Sequence, residues 1–394
     1  MRRRRRFLTP LLVILLPVML VAGIWLGGHP DNLPDKVRDT LVADNDGRVY
    51  EEAIDTLERD YYRKVDRKKL LDQSLEQAVG SLDDRFSHYF APRDFTDFQA
   101  ATEGRFEGVG MTVEEIERGL RVLTVYKGSP ADRGGLRPGD VITHVNGRSI
   151  AGESSEESTT RIKGPAGTSV KLTVRSKGET RELALERAQV EIPVVKAEMR
   201  RSNGRKIAHV HLAGFTSGAH GEVSSAVKRL LKEGADGVVL DLRDNGGGLL
   251  NEAVMVSSVF IPDGKIVTTR GRSRPEQVYE ATGGAIDTDI PVVVLVNDRS
   301  ASASEIVTGA LQDRDRAKVV GTRTFGKGVF QEIEPLQNGG ALDITVGEYF
   351  LPSGRNLGGG GVQRGAGVSP DVQAEDDPDT PKDEALAAAL REAA

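Results

Sequence analysis

The chain has 394 residues, 28% of them charged and 38% hydrophobic, with a formal net charge of -6 and no cysteine. That length predicts two or three domains rather than one core, and the balance of apolar and charged residues excludes wholesale disorder. Without cysteine there are no disulfides, thiolate nucleophiles or cysteine-ligated zinc, and an acidic body with no basic footprint argues against nucleic acid as a partner.

The chain opens on arginines at positions 2–6, followed by the apolar run FLTPLLVILLPVMLVAGIWLGG at 7–28. About 20 helical residues cross a bilayer, so this run predicts a single transmembrane helix. The arginines stay cytoplasmic and everything after Gly28 is placed on the far side. A cleaved signal peptide is the rival reading, but its apolar region is usually shorter, and only Val21, Ala22 and Gly23 approach a cleavage site. Cleavage would release a secreted protein; either way the body is exported.

Residues 29–103 read as a linker and a small helical segment, with Ala53, Leu57, Leu70, Leu71, Leu75 and Val79 at helical spacing. An aromatic cluster follows at Phe86, Tyr89, Phe90, Phe95 and Phe98, for which structural packing is the expectation. Residues 104–190 change character: short β-type runs at 108–113, 120–125, 141–145, 170–174 and 182–185 alternate with turn residues. From 191 to 378 strands alternate with helices. Strands are expected at 209–215, 238–242, 292–296 and 318–321, helices at 220–233, 249–260 and 303–312, and β-rich chain from 325 to 351. This pattern predicts a multidomain α/β protein whose α/β core has crossover connections and a β-rich extension. An acidic linker and a short Ala-rich helix close the chain, the tail being 379–394.

Three strand-end loops of the core hold the chemistry: DLRDNGGGLL at 241–250, SASASE at 300–305 and TFGKGVFQ at 324–331. Loops at the carboxyl ends of strands in an open α/β sheet gather at one edge, where ligands bind. The triple glycine lets backbone approach a ligand closely, at a point where helix-end amides favour negative charge. A serine hydroxyl needs a base and an anion-stabilising pocket. None of the six histidines completes an evident Ser-His-Asp set, and no G-x-S-x-G occurs. A lysine serves if burial lowers its pKa, and Lys327 between Gly326 and Gly328 has the neighbours for it. Plainer readings exist for each residue. Ser302 with Glu305 is a capping box, Lys327 fits a solvated turn, and the glycines fit a tight turn. A G-x-x-x-x-G-K match at 321–327 is not a phosphate loop, because Gly328 stands where magnesium requires a hydroxyl.

Taken together, DLRDNGGGLL, SASASEIVTGALQD (300–313), VVGTRTFGKGVFQ (319–331), YFLPSGRNL (349–357) and GVSPDV (367–372) resemble the C-terminal processing peptidases, or tail-specific proteases, Ser-Lys peptidases of the S41 type. The resemblance implies a PDZ domain between a helical N-terminal segment and the catalytic core. It implies Ser302 as nucleophile, Lys327 as general base, Gln331 orienting the lysine, and an oxyanion hole of the Gly248 and Ala303 amides. Ser304 is the alternative nucleophile by proximity. Gly246 departs from the proline of many relatives. FEGVGM (106–111) is similar to a PDZ carboxylate-binding loop, which makes Gly108, Val109, Gly110 and Met111 the expected substrate-binding residues. Arg161 or Lys163 is a further candidate for sensing that ligand.

The expectation is therefore a membrane-anchored serine endopeptidase that grips C-terminal tails of polypeptides, with no cofactor or metal and with homo-oligomerisation left open. A catalytically silent PDZ scaffold is the alternative. A metallohydrolase is weaker, since no H-E-x-x-H occurs and His209 with His211 read as ordinary strand residues.

Overall fold

Two helices open the described chain, which in this computed structural model is residues 45–394. The run 7–28, expected to cross a membrane, lies outside the described residues. Among those described, no helix is long and apolar enough to span one. Helices α1 (Asn45–Asp60) and α2 (Arg67–Gly80) form a unit of their own. Asp66 caps α2 by accepting from the Lys68 and Lys69 amides, and Arg67 pairs with Asp55 and Glu58 of α1.

The second unit begins at Leu82. Strand β1 (His88–Phe90) leads into α3 (Pro92–Thr102), whose first turn holds a proline. Phe90 and Phe98 stack at 4.8 Å, as expected of packing aromatics.

A β-rich module follows: β2 (Arg105–Gly108), β3 (Met111–Ile116), β4 (Gly119–Val125), α4 (Pro130–Arg133), β5 (Val141–Val145), β6 (Arg148–Ser149), α5 (Ser155–Ile162), β7 (Ser169–Ser176), β8 (Glu179–Glu186) and β9 (Ala188–Glu191). Its antiparallel sheet runs β3-β4-β5-β7-β8, and a separate β2–β9 ribbon forms the stem through which the chain enters and leaves. Alternate residues of β7, namely Val170, Leu172 and Val174, point into a core with Leu120, Leu136 and Ile142. Helices α4 and α5 interrupt the strands and were not anticipated. Yet Ser154 and Glu157 form a complete capping box at the start of α5, a signal the sequence carried.

The remaining chain builds two sheets. Its elements are β10 (Val195–Ser202), β11 (Arg205–Leu212), α6 (Ala219–Lys232), β12 (Gly237–Asp241), α7 (Leu250–Ser258), β13 (Lys265–Arg270), β14 (Gln277–Glu280), β15 (Val292–Val296), α8 (Ala303–Asp313), β16 (Lys318–Gly321), β17 (Val329–Pro335), β18 (Ala341–Phe350), β19 (Val372–Gln373) and α9 (Glu384–Glu392). The larger sheet has the order β10-β11-β12-β15-β16-β19, parallel except for the β10–β11 pair. Strands β12 and β15 are buried throughout, because both faces are covered. Val238, Leu240, Val292, Val294 and Val296 face α6, α7 and α8, while Val239, Val293 and Leu295 face α9. The smaller sheet, β1-β18-β13-β14 with β17 on β18, is antiparallel and carries the β-rich extension. The observed class is mixed α/β.

Candidate active site

The three loops singled out in the sequence leave the carboxyl ends of β12, β15 and β16, neighbours in the parallel sheet. Side chains and amides sew the loops together. Asn245, fully buried, donates from Nδ2 to the Leu212 carbonyl at 2.8 Å and accepts from the Gly247 amide at 2.9 Å. Its carbonyl accepts from the Ala301 amide and the Ser304 hydroxyl. The Ser300 hydroxyl donates to the Leu242 carbonyl at 2.8 Å, and the Phe325 amide donates to the Ser300 carbonyl at 3.0 Å. Each loop is thereby a support for the next.

Ser302 stands immediately before α8 with φ +56° and ψ -115°, a left-handed conformation rare for serine. Such strain persists only where its surroundings enforce it, and it recurs at reactive residues. Ser304, the alternative by proximity, is fully buried in α8 with its hydroxyl committed to the Asn245 carbonyl. The capping expectation for Glu305 holds in part, since its Oε2 accepts from the Ser302 amide at 2.9 Å. The same Oε2 also accepts from the Lys327 amide at 2.9 Å. The other oxygen, Oε1, accepts from the Thr324 hydroxyl at 2.6 Å and the Gly326 amide at 2.7 Å. One fully buried carboxylate therefore joins the serine loop to the lysine loop. Burial pushes its carboxyl above the ordinary glutamate range, and these four donors pull it back.

Lys327 is no solvated turn lysine. Its Nζ donates to Gln331 Oε1 at 2.7 Å, and Gln331 Nε2 donates in turn to Thr345 Oγ1 at 2.9 Å. The Phe86 ring centroid lies 4.7 Å from Nζ. Burial lowers the lysine pKa below the ordinary range; the carboxylates of Asp343, Asp84 and Glu305 oppose that shift, and the Arg85 guanidinium adds to it. Burial also pushes the Tyr349 phenol above its ordinary range, and the Ser302 side chain opposes that shift. A direct Ser302–Lys327 hydrogen bond is not among those of the described residues, and the bond that Lys327 Nζ makes is the one to Gln331.

The triple-glycine loop presses on the serine. A side chain at Gly247 would meet Ser302 Cβ at 2.9 Å and the Ala303 nitrogen at 3.0 Å. Gly248, at φ +142°, lies where a Cβ would come within 2.4 Å of the Phe215 carbonyl. Only glycine allows this approach. Ala303 is the first residue of α8, so its N–H is among the amides a helix leaves unpaired.

In the β-rich module, Gly108, Val109, Gly110 and Met111 connect β2 to β3. Gly110 has φ +85° and packs on Ser129, whose hydroxyl donates to the Gly110 carbonyl at 3.1 Å. The Val109 carbonyl accepts from the Ala131 amide at 2.7 Å. Arg161 pairs with Glu153 and Lys163 ends α5.

Sequence reasoning missed Glu305 as a bridge, seeing only its cap. It expected Phe86 to pack, without foreseeing that the ring would lie over the Lys327 amine. His209 is bonded to Asp241 Oδ2 at 3.1 Å, as a strand residue at a structural cluster. No group of metal-holding side chains occurs among the described residues.

Residues 206–374 match peptidase family S41 and residues 121–176 match the PDZ domain. A protein named "Probable CtpA-like serine protease" of Staphylococcus aureus (strain COL) is 35% identical over 332 residues, which are 84% of this chain and 64% of that protein. A protein of the same name from Staphylococcus haemolyticus (strain JCSC1435) is 32% identical over 79% of this chain and 63% of its own length. This chain thus spans just under two thirds of the curated relatives it matches. A solved structure, the photosystem II D1 C-terminal processing protease, aligns over 89% of this chain and 100% of its own, with a TM-score of 0.50 and 29% identity. The chain therefore carries a stretch similar to peptidase family S41 at 206–374 and one similar to the PDZ domain at 121–176, and over most of its length it resembles proteins named as serine proteases and a C-terminal processing protease.

Proposed function

We propose that the chain is a serine endopeptidase that captures the C-terminal tail of a polypeptide on its PDZ domain and cleaves the bound chain with Ser302 and Lys327. The Ser302 oxygen attacks the scissile carbonyl as its proton passes to the neutral Lys327 amine. Lys327 then delivers that proton to the leaving amine, and water hydrolyses the acyl-enzyme. Gln331 holds the lysine amine in position, and the amides of Gly248 and Ala303 receive the oxyanion. Gly108, Val109, Gly110 and Met111 present the carboxylate-binding loop. The run 7–28 anchors the chain in the membrane with its catalytic body outside the cytoplasm. Residues 29–103 form the linker and helical segment, 104–190 the PDZ domain, 191–378 the peptidase core and 379–394 the tail.

The observation that carries this reading is the Glu305 carboxylate, whose single Oε2 receives the amides of both Ser302 and Lys327 while burial keeps the lysine amine poised below its usual pKa. The test is Ser302→Ala on a polypeptide with a free C-terminus. Turnover disappears, and tail binding, measured by fluorescence anisotropy, remains. Cleavage surviving the substitution would rule out Ser302 as nucleophile.

A further inference from the structure

Phe86 lies outside both family-matched stretches, just ahead of β1. Its position is fixed from several sides. Asp84 Oδ1 accepts from the Phe86 amide at 3.0 Å, and Asp84 Oδ2 accepts from the Ser87 hydroxyl at 2.6 Å. Ser87 Oγ in turn accepts from the Thr345 amide at 3.0 Å, and His88 pairs with Asp343 in the β1–β18 register. The segment is thus riveted to β18 at Thr345, the residue whose hydroxyl holds Gln331. The Arg85 guanidinium lies 4.7 Å from the Phe86 ring and 5.3 Å from the Phe325 ring, closing the flank between this segment and the lysine loop.

We propose that Phe86 is a positioning residue for Lys327: its ring forms the wall that keeps water from the amine and confines Nζ to the Gln331 side. A segment outside the peptidase-family core then completes the active site. The ring acts on the amine in two opposed ways. Excluding water favours the neutral amine, whereas the ring's negative face favours the ammonium. The charged groups that act on Nζ are the carboxylates of Asp343 on β18, of Asp84 and of Glu305 on α8, with the Arg85 guanidinium, and His88 acts on Asp343. Phe86 is apolar, so removing ring volume hydrates the amine without altering a charge.

The consequence for turnover rests on Lys327 being the base, whereas the wall itself does not. The experiment therefore reads both, on the full chain. Wild type and the Phe86→Leu, Phe86→Val, Phe86→Ala and Phe86→Tyr variants are compared in two titrations. One is kcat/KM against pH on a tailed polypeptide. The other is the pH dependence of Lys327 modification by 1-fluoro-2,4-dinitrobenzene, quantified by mass spectrometry. As the side chain shrinks from Leu to Val to Ala, both curves move stepwise toward higher pH, by about one unit across the series, while Phe86→Tyr follows wild type. Should the Ala variant fail to fold, the order of Leu and Val carries the test. Superimposed labelling curves, with activity reduced or not, overturn the proposal. Graded labelling curves in an enzyme that cleaves nothing uphold the wall and overturn Lys327 as a peptidase base.

Discussion

Glu305 is the residue on which the candidate site turns, and the reason is its hydrogen-bond inventory. An ionised carboxylate offers only acceptors, and every partner of Glu305 is a donor: the amides of Ser302, Gly326 and Lys327 and the hydroxyl of Thr324. A glutamine there keeps the shape but turns an N–H group toward at least one of those donors. Leaving a buried donor unsatisfied costs about 1–3 kcal/mol. Glu305→Gln is therefore expected to lower the unfolding free energy by about that amount in urea titration and to abolish turnover, since the serine and lysine loops lose their common anchor. Retained turnover with unchanged stability would show that the two loops hold their places without it. The loops of Ser302 and Lys327, which the structure joins through Glu305, were legible in the sequence because their motifs are local. The partners of Glu305 were not, as they come from a loop that follows the next strand. A capping box accounts for one of its four bonds and gives no reason to look for the others.

At the scale of elements, the end of β12 is tied to the C-terminal helix by one guanidinium. Arg243 donates to both oxygens of Asp241, at 3.0 and 2.8 Å, and to both oxygens of Asp383, at 2.9 and 3.0 Å. Asp383 also caps α9 by accepting from the Leu386 amide at 2.7 Å. The strut therefore fixes α9 against β12 immediately before the triple-glycine loop. Burial alone would raise the Asp241 carboxyl, but hydrogen bonds from His209 and Arg243 and the Arg243 charge bring it down to about 2. A carboxyl whose folded pKa lies below its unfolded value adds stability above the unfolded pKa and loses it as pH falls through the folded one. Here that window runs from about pH 4 to about pH 2, and the contribution is about 2 kcal/mol. Asp241→Asn should flatten the pH dependence of stability across that window, as read by thermal unfolding. An unchanged slope would place the acid sensitivity in other carboxylates. The elements read most securely from sequence were those buried on both faces: the expected bounds of β15 and β16 are the observed ones. Strands β10, β13 and β14 went unread: in β10 the alternation of Val195, Ala197 and Met199 with charged residues was a signal the sequence carried, whereas the short runs KIVTTR and QVYE give no clear alternation. Pairing supplies what periodicity lacks there, with β13 held by β18 far along the chain.

In the proposed function, holding a substrate and cutting it fall to separate parts of the chain, and the covalent connection between those parts is narrow. The chain enters the β-rich module through β2 and leaves through β9, with the Ile192 amide bonded to the Gly104 carbonyl at 2.8 Å across that stem. Beside the stem, the Ser217 amide donates to the Thr102 carbonyl at 3.1 Å, and Phe215, two residues earlier, lies in a parallel bridge with Gly248. The backbone that lines the proposed oxyanion hole is thus continuous with the loop at the stem. If capture depends on the terminal carboxylate, a substrate amidated at its C-terminus should be cleaved about tenfold or more slowly than its free-acid twin, the expected value of a charge-assisted hydrogen bond. Gly110 gives the matching change on the protein side. Its φ of +85° is strained for any side chain, and an added Cβ would fall 2.2 Å from Ser129 Cβ. Gly110→Ala should therefore erase the difference between the two substrates. Equal rates on acid and amide in the wild type would mean that the terminal carboxylate contributes nothing to capture.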